Sequence, residues 1–106
     1  MKNHKKEFKA RVWQLTKKIP YGRITTYKEI AERLNTKAYR AVGNALNKNK
    51  SKEVPCHRVV RSDRTVGGFA KGTKRKIIML KKEGIKIKNR KILDFNMVFF
   101  RLKKQK

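Results

Sequence analysis

The 106 residues include one cysteine, two prolines and seven acidic side chains. Each shortage excludes something. A single thiol, Cys56, rules out an internal disulfide framework and fits a reducing compartment. One cysteine with two well-separated histidines, His4 and His57, is too few for a structural zinc site, so no metal is expected. No apolar run approaches the ~20 residues that a membrane span needs. Met1–Ala10 is basic, but no apolar stretch follows it as in a secretory leader. The chain has neither an internal repeat nor a low-complexity linker. The expectation is one domain over 1–106, monomeric, away from membranes, in the cytoplasm or nucleoid.

Apolar residues make up 38% of the chain, enough for a small core. Positive charge is what the sequence has in excess: 32 Lys and Arg give a formal net charge of +25. Such a field attracts polyanions, and nucleic acid is the leading partner, because each neutralised phosphate releases condensed counterions. An anionic membrane surface is the weaker competitor. A solvated lysine-rich surface is the plain alternative, and it is compatible with either partner.

Residues 5–18 read as a helix, with Phe8, Val12, Leu15 and Ile19 on one face and Trp13 beside it. Pro20-Tyr21-Gly22 breaks the pattern. In "RITTYKEIAERL", Thr26 and Glu29 form a capping box, predicting a helix from Tyr27 with Ile30, Ala31 and Leu34 inward. A short helix follows in "KAYRAVGNALNKN", with Ala38, Ala41, Val42, Ala45 and Leu46 on one side. Two short helices joined by about three residues read as a helix-turn-helix, whose second helix would face DNA. An ordinary αα-hairpin is the alternative. Gly43 inside that helix weakens it, or marks a close backbone approach to a ligand.

"KNKSKE" is a polar loop. "VPCHRVV" reads as an extended segment, since Val54 before Pro55 is pushed out of the helical region. "TKRKIIMLKKEG" reads as a third helix with Ile77, Ile78 and Leu80 inward and Gly84 as its cap. "IKIKNRKILDF" reads as a hairpin turning at Asn89-Arg90. The basic end, 96–106, reads as a loose tail beyond a core of about 8–95. The fold class is mostly α with short strands: a winged-helix-like helix-turn-helix domain with a small C-terminal hairpin.

"VPCHRVV" sets the chain's one thiol beside an imidazole. Alone, it is compatible with a buried cysteine acting as a small hydrophobe. The wider pattern is more specific. "IPYGRITTYKEIA", "YRAVGNAL", "VPCHRVV", "GGFAKG" and "KIIMLKKEG" occur in an order and near-spacing that resembles the C-terminal domain of O6-alkylguanine-DNA alkyltransferases, over roughly residues 8–95.

The resemblance implies a DNA repair protein. It would flip an alkylated guanine from double-stranded DNA and move the alkyl group irreversibly to Cys56, once per molecule and without a cofactor. His57 would be the base that takes the thiol proton, through one water, because neighbours in an extended segment point to opposite sides. Glu83 would orient His57. Asn49 would hold the active-site turn, although the loop after it is one residue shorter than usual and lacks the common prolines. Tyr27 would crowd a phosphate and donate a proton to the departing guanine. The carbonyls of Cys56 and Val59 would face the guanine amino group, and the Ala70 N–H would face O6. Phe69 would be the aromatic wall. Gly43 would lie close to the substrate. Arg40 would fill the space that the base vacates, and Thr26, Ala38, Ala41 and Ser62 would touch phosphate or groove. Lys71, where a small residue is common, would make the rim tighter or more basic. The family usually carries an N-terminal domain before the helix at Phe8, and the expectation is a domain acting without it. Alkyltransferase-like damage sensors also lack that domain but typically carry tryptophan where Cys56 stands. The cysteine therefore favours the enzyme, and the sensor is the alternative. A basic architectural DNA binder is a third reading.

Overall fold

The computed structural model describes residues 4–102. The elements are α1 (His4–Thr16), β1 (Thr25–Thr26), α2 (Tyr27–Arg33), α3 (Tyr39–Asn47), a 3-10 turn (Cys56–Arg58), β2 (Val59–Val60), α4 (Thr73–Lys82), β3 (Ile87–Lys88), β4 (Lys91–Ile92) and α5 (Phe95–Val98). This is the expected mostly helical class, a helix-turn-helix unit with a C-terminal hairpin.

Two apolar clusters hold it together. In the first, Val12, Leu15 and Ile19 bury the stripe of α1 and its exit against Ile30 and Ala31 of α2 and Val42, Ala45 and Leu46 of α3. Trp13 joins α1 to α3 by donating its indole N–H to the Ala45 carbonyl at 2.9 Å. In the second, Ile24, Val60, Val66, Leu80, Ile85 and Ile92 pack α4 and the hairpin onto the strands.

Helix α2 starts where the sequence says it should. The Thr26 hydroxyl accepts the Glu29 N–H at 3.0 Å. The reciprocal half of the capping box is not made. Glu29 is buried, and its carboxylate instead accepts the Leu102 N–H at 2.8 Å. The turn between α2 and α3 is residues 34–38, longer than expected, with Asn35 at φ 57°.

Three further expectations are corrected. Only Val59–Val60 of "VPCHRVV" is extended, because Cys56–Arg58 winds into a 3-10 turn closed by the Val59 N–H on the Cys56 carbonyl. Ile78 faces outward at 46% exposure, because α4 turns Lys76 and Leu80 inward instead. The expected loose tail is ordered as far as Leu102. Ile24 donates to the Val98 carbonyl at 2.9 Å, Phe100 donates to the Ile24 carbonyl at 2.7 Å, and Leu102 is buried in the first cluster. The remainder of that expectation, 103–106, lies outside the described residues.

The hairpin turns where expected. Asn89 (φ 51°) and Arg90 (φ 63°) both take left-handed backbone, as a two-residue I′-type turn requires. Strands β1 and β2 pair in parallel, Thr25 with Val59 and Thr26 with Val60. That pairing sets the start of α2 directly beside the end of the cysteine turn. It brings Tyr27 and Cys56 to one side of the molecule, although they are 29 positions apart in sequence.

Candidate active site

Cys56 is half-buried at the start of its turn. Its thiol donates to the Leu46 carbonyl at 3.5 Å, and the Asn49 amide donates to its sulfur at 3.2 Å. Asn49 also donates to the Ser51 carbonyl at 3.0 Å and accepts the Ser51 N–H at 3.1 Å, folding the loop after α3 back onto the cysteine. The shortened loop therefore still delivers this amide to the thiol. Burial pushes the Cys56 thiol up, and the Asn49 hydrogen bond and the Lys76 charge pull the other way.

His57 is buried beside it. Its Nε2 meets Glu83 Oε2 at 2.6 Å. With Nε2–H donating to a carboxylate, Nδ1 keeps its lone pair as the basic nitrogen. Burial lowers the His57 pKa below its ordinary value, against the opposing pull of Glu83, so the imidazole is neutral and able to accept a proton at pH 7.

Glu83 caps α4 and receives more than the histidine. Arg58 donates to it from Nε at 3.0 and 3.1 Å and from Nη2 at 2.9 Å, and the Gly22 N–H donates at 2.9 Å. Burial pushes its carboxyl up, but the hydrogen bonds from Arg58, His57 and Gly22 outweigh that and hold it below the usual carboxylate range. Sequence reasoning missed Arg58, although it directly follows His57.

A cavity of about 320 Å³ opens on the thiol, walled by Asn49, Cys56, His57, Phe69, Ala70 and Met79. Phe69 and Ala70 thus share one cavity with the thiol. Among the described residues no acceptor takes the Ala70 N–H, so this donor stands free at the cavity. Val59 is different. It has no exposed surface, and its carbonyl accepts from Lys76 Nζ at 2.6 Å. One of the two lone pairs of the expected acceptor for a guanine amino group is therefore taken by Lys76.

A second groove, of about 490 Å³, runs between α3 and the loop after β2. Tyr27, Tyr39, Arg40, Gly43, Arg61 and Ser62 line it. Gly43 belongs here rather than to the thiol cavity. Ala38 and Ala41 lie on the same helix end, with the Ala38 N–H donated to the Thr36 hydroxyl at 3.1 Å. Thr26 does not join them. Its side chain is buried and its hydroxyl accepts the Glu29 N–H that caps α2.

Tyr27 stands between groove and core. Its hydroxyl donates to the Gly68 carbonyl at 3.3 Å and accepts from Lys76 Nζ at 3.2 Å. Burial raises its pKa, which keeps the phenol protonated at neutral pH. Gly67 makes room for it: at φ 74°, a Cβ there would stand 3.3 Å from the Tyr27 ring and hydroxyl. Lys76 and Gly67 are the other residues that sequence reading missed. Helical spacing puts Lys76 on the face of Leu80, a signal hidden by the abundance of lysine elsewhere.

A helix-turn-helix unit with a thiol, an imidazole and a carboxylate gathered behind its second helix defines the class: a helix-turn-helix DNA-binding domain. Residues 7–85 match the family model described as 6-O-methylguanine DNA methyltransferase, DNA binding domain, and the chain belongs to that family. It is 44% identical over 81 residues to a methylated-DNA–protein-cysteine methyltransferase of Saccharolobus islandicus, covering 76% of this chain and 52% of the relative. The chain thus spans about half the length of the curated relatives it matches. It is similar to the Mycobacterium tuberculosis OGT solved in complex with DNA (TM-score 0.69, 39% identity, 73% of this chain and 49% of that one). It is also similar to S. pombe Atl1 in complex with damaged DNA containing O6-carboxymethylguanine. There the TM-score is 0.81 at 28% identity, covering 95% of this chain and 99% of that one.

Proposed function

We propose that this protein repairs alkylated DNA by accepting the alkyl group of O6-alkylguanine on Cys56. One observation carries the reading: a half-buried thiol with an amide aimed at its sulfur sits beside a histidine–glutamate pair, in the wall of a cavity. Reaching a base from that cavity requires its extrusion from the duplex. Arg40 would fill the gap left behind, with Ser62, Ala38 and Ala41 supporting the strand along the groove. His57 takes the Cys56 proton. The thiolate attacks the alkyl carbon, the S–C bond forms and the C–O6 bond breaks. The electron pair leaves on guanine, which regains a proton from the Tyr27 hydroxyl, while Phe69 and the Ala70 N–H hold the base. No cofactor enters, because the alkyl group arrives on the DNA. The thioether product is a poor leaving group, so each molecule acts once.

Intact mass measurement after incubation with excess duplex containing O6-methylguanine tests this. One methyl per molecule, mapped to Cys56, is expected. Cys56→Ser should take up none, and His57→Ala should be slowed by about 10²–10⁴-fold. Methyl on another residue, or turnover beyond one equivalent, defeats the reading. No uptake with retained preference for alkylated DNA selects the second reading, a non-enzymatic damage sensor. The likeness to S. pombe Atl1 bound to damaged DNA, at a TM-score of 0.81, favours that alternative.

A further inference from the structure

Lys76 has no exposed surface, yet it carries the most strongly hydrated kind of side-chain charge. Its three donors are all used, on the Val59 carbonyl at 2.6 Å, the Gly68 carbonyl at 2.9 Å and the Tyr27 hydroxyl at 3.2 Å. These acceptors are neutral. None of the ion pairs among the described residues includes Lys76. Buried charges are normally paired, and here the carboxylate that would do so is missing. Glu83 is engaged by Arg58 and His57.

We propose that Lys76 is a positioning residue whose buried ammonium stabilises the Cys56 thiolate, so that the charge pair is completed only when the thiol loses its proton. The consequence for repair rests on the alkyl-acceptor reading above, but the electrostatics do not. Helix α4 packs against the cysteine turn. Lys76 bonds Val59, whose own N–H closes that turn on the Cys56 carbonyl. The coupling is reciprocal, as linkage requires: the Lys76 charge favours the thiolate, and the thiolate favours the ammonium. Burial, with a smaller push from Arg61 on the loop after β2, lowers Lys76 to about 7. The other titratable groups around the pair are Tyr27 on α2 and His57 in the turn, with Arg58 and Glu83 behind the histidine.

The sign follows. Below pH 7 the ammonium is present and favours the thiolate by about one pKa unit or more, the range for an opposite charge nearby. As pH rises through 7 the lysine loses its proton and this help declines. The test uses no DNA: the rate of Cys56 alkylation by iodoacetamide is followed from pH 5.5 to 9.5 in the parent, Lys76→Gln and Lys76→Met. Lys74→Gln, on the exposed side of α4, controls for loss of one charge. At pH 6 the two Lys76 variants should react about tenfold more slowly. The deficit should shrink above pH 7, and Lys74→Gln should match the parent. No deficit at pH 6, or a deficit constant with pH, overturns the proposal, the latter because loosened packing has no midpoint. If neither Lys76 variant folds, His57→Gln decides, since Lys76 is its one remaining group near pH 7 beside the thiol. Its rate profile should break near pH 7, and a single-step profile overturns the proposal. Normal thiol behaviour with no methyl uptake by the parent would defeat the repair reading and leave this one standing.

Discussion

Glu83 holds a histidine, an arginine fork and a backbone N–H at once, so its charge ties α4 to the cysteine turn and to the Gly22 loop. Its carboxyl lies below the usual range in the fold. A depressed acid stabilises the fold above its unfolded pKa, and that contribution is lost as pH falls through the folded value. Glu83→Gln should therefore be less stable than the parent at pH 7, with the difference closing below about pH 4. Burial lowers the His57 pKa and Glu83 opposes that, so in the variant His57 should titrate lower still. Urea unfolding at the two pH values and an NMR titration of His57 check both effects. An unchanged histidine midpoint would show that the carboxylate does not set the base. Arg58 would then be its main partner, and the triad-like reading would lose its third member.

The elements differ in how well their sequence announces them. Helix α1, the Thr26 cap, the Asn89-Arg90 turn and the cysteine turn's neighbours were legible because each rests on residues within one or two turns of chain. The site's Cys56, His57, Asn49, Phe69 and Ala70 were legible for a different reason, the family-like order of short motifs. What failed depends on distant partners. Glu29 abandons its local cap for Leu102, 73 positions away, and Lys76 enters the core to meet Val59 and Tyr27. "RLKKQK" looks like a solvated tail because four cations surround one leucine, and only the folded core shows where Leu102 goes. That leucine gives the element-scale test. Leu102→Ala should cost about 2–5 kcal/mol, the range for a large-to-small change in a core. Met97→Ala, at 77% exposure just upstream, should cost little. Urea melts with unchanged m-values measure both. A cost near zero for Leu102→Ala would mean the segment after α5 contributes no stability.

At the scale of the whole molecule, two kinds of recognition share one surface and respond differently to salt. A net charge of +25 makes general affinity for duplex electrostatic, so it should fall steeply as salt rises from 50 to 200 mM, by about 10³–10⁵ for six to ten phosphate contacts. Arg40 lies on the groove wall rather than in the thiol cavity. Arg40→Ala should lower the slope of log affinity against log salt by only about 1 if the side chain contacts one phosphate. Its effect on methyl transfer from duplex should exceed its effect on transfer from a short single strand, where no base needs extrusion. Equal losses on both substrates would remove Arg40 from the extrusion step. The preference for alkylated over plain duplex should behave otherwise. An O6-methyl group is neutral, and under the proposed function it would meet Phe69 and Met79 in the thiol cavity, so the ratio of the two affinities should stay constant across the same salt range. Lys50, Lys52, Lys71 and Arg75 also border that cavity. A ratio that collapses with salt would mean that this rim, reading strand charge near the lesion, makes the discrimination in place of the cavity floor.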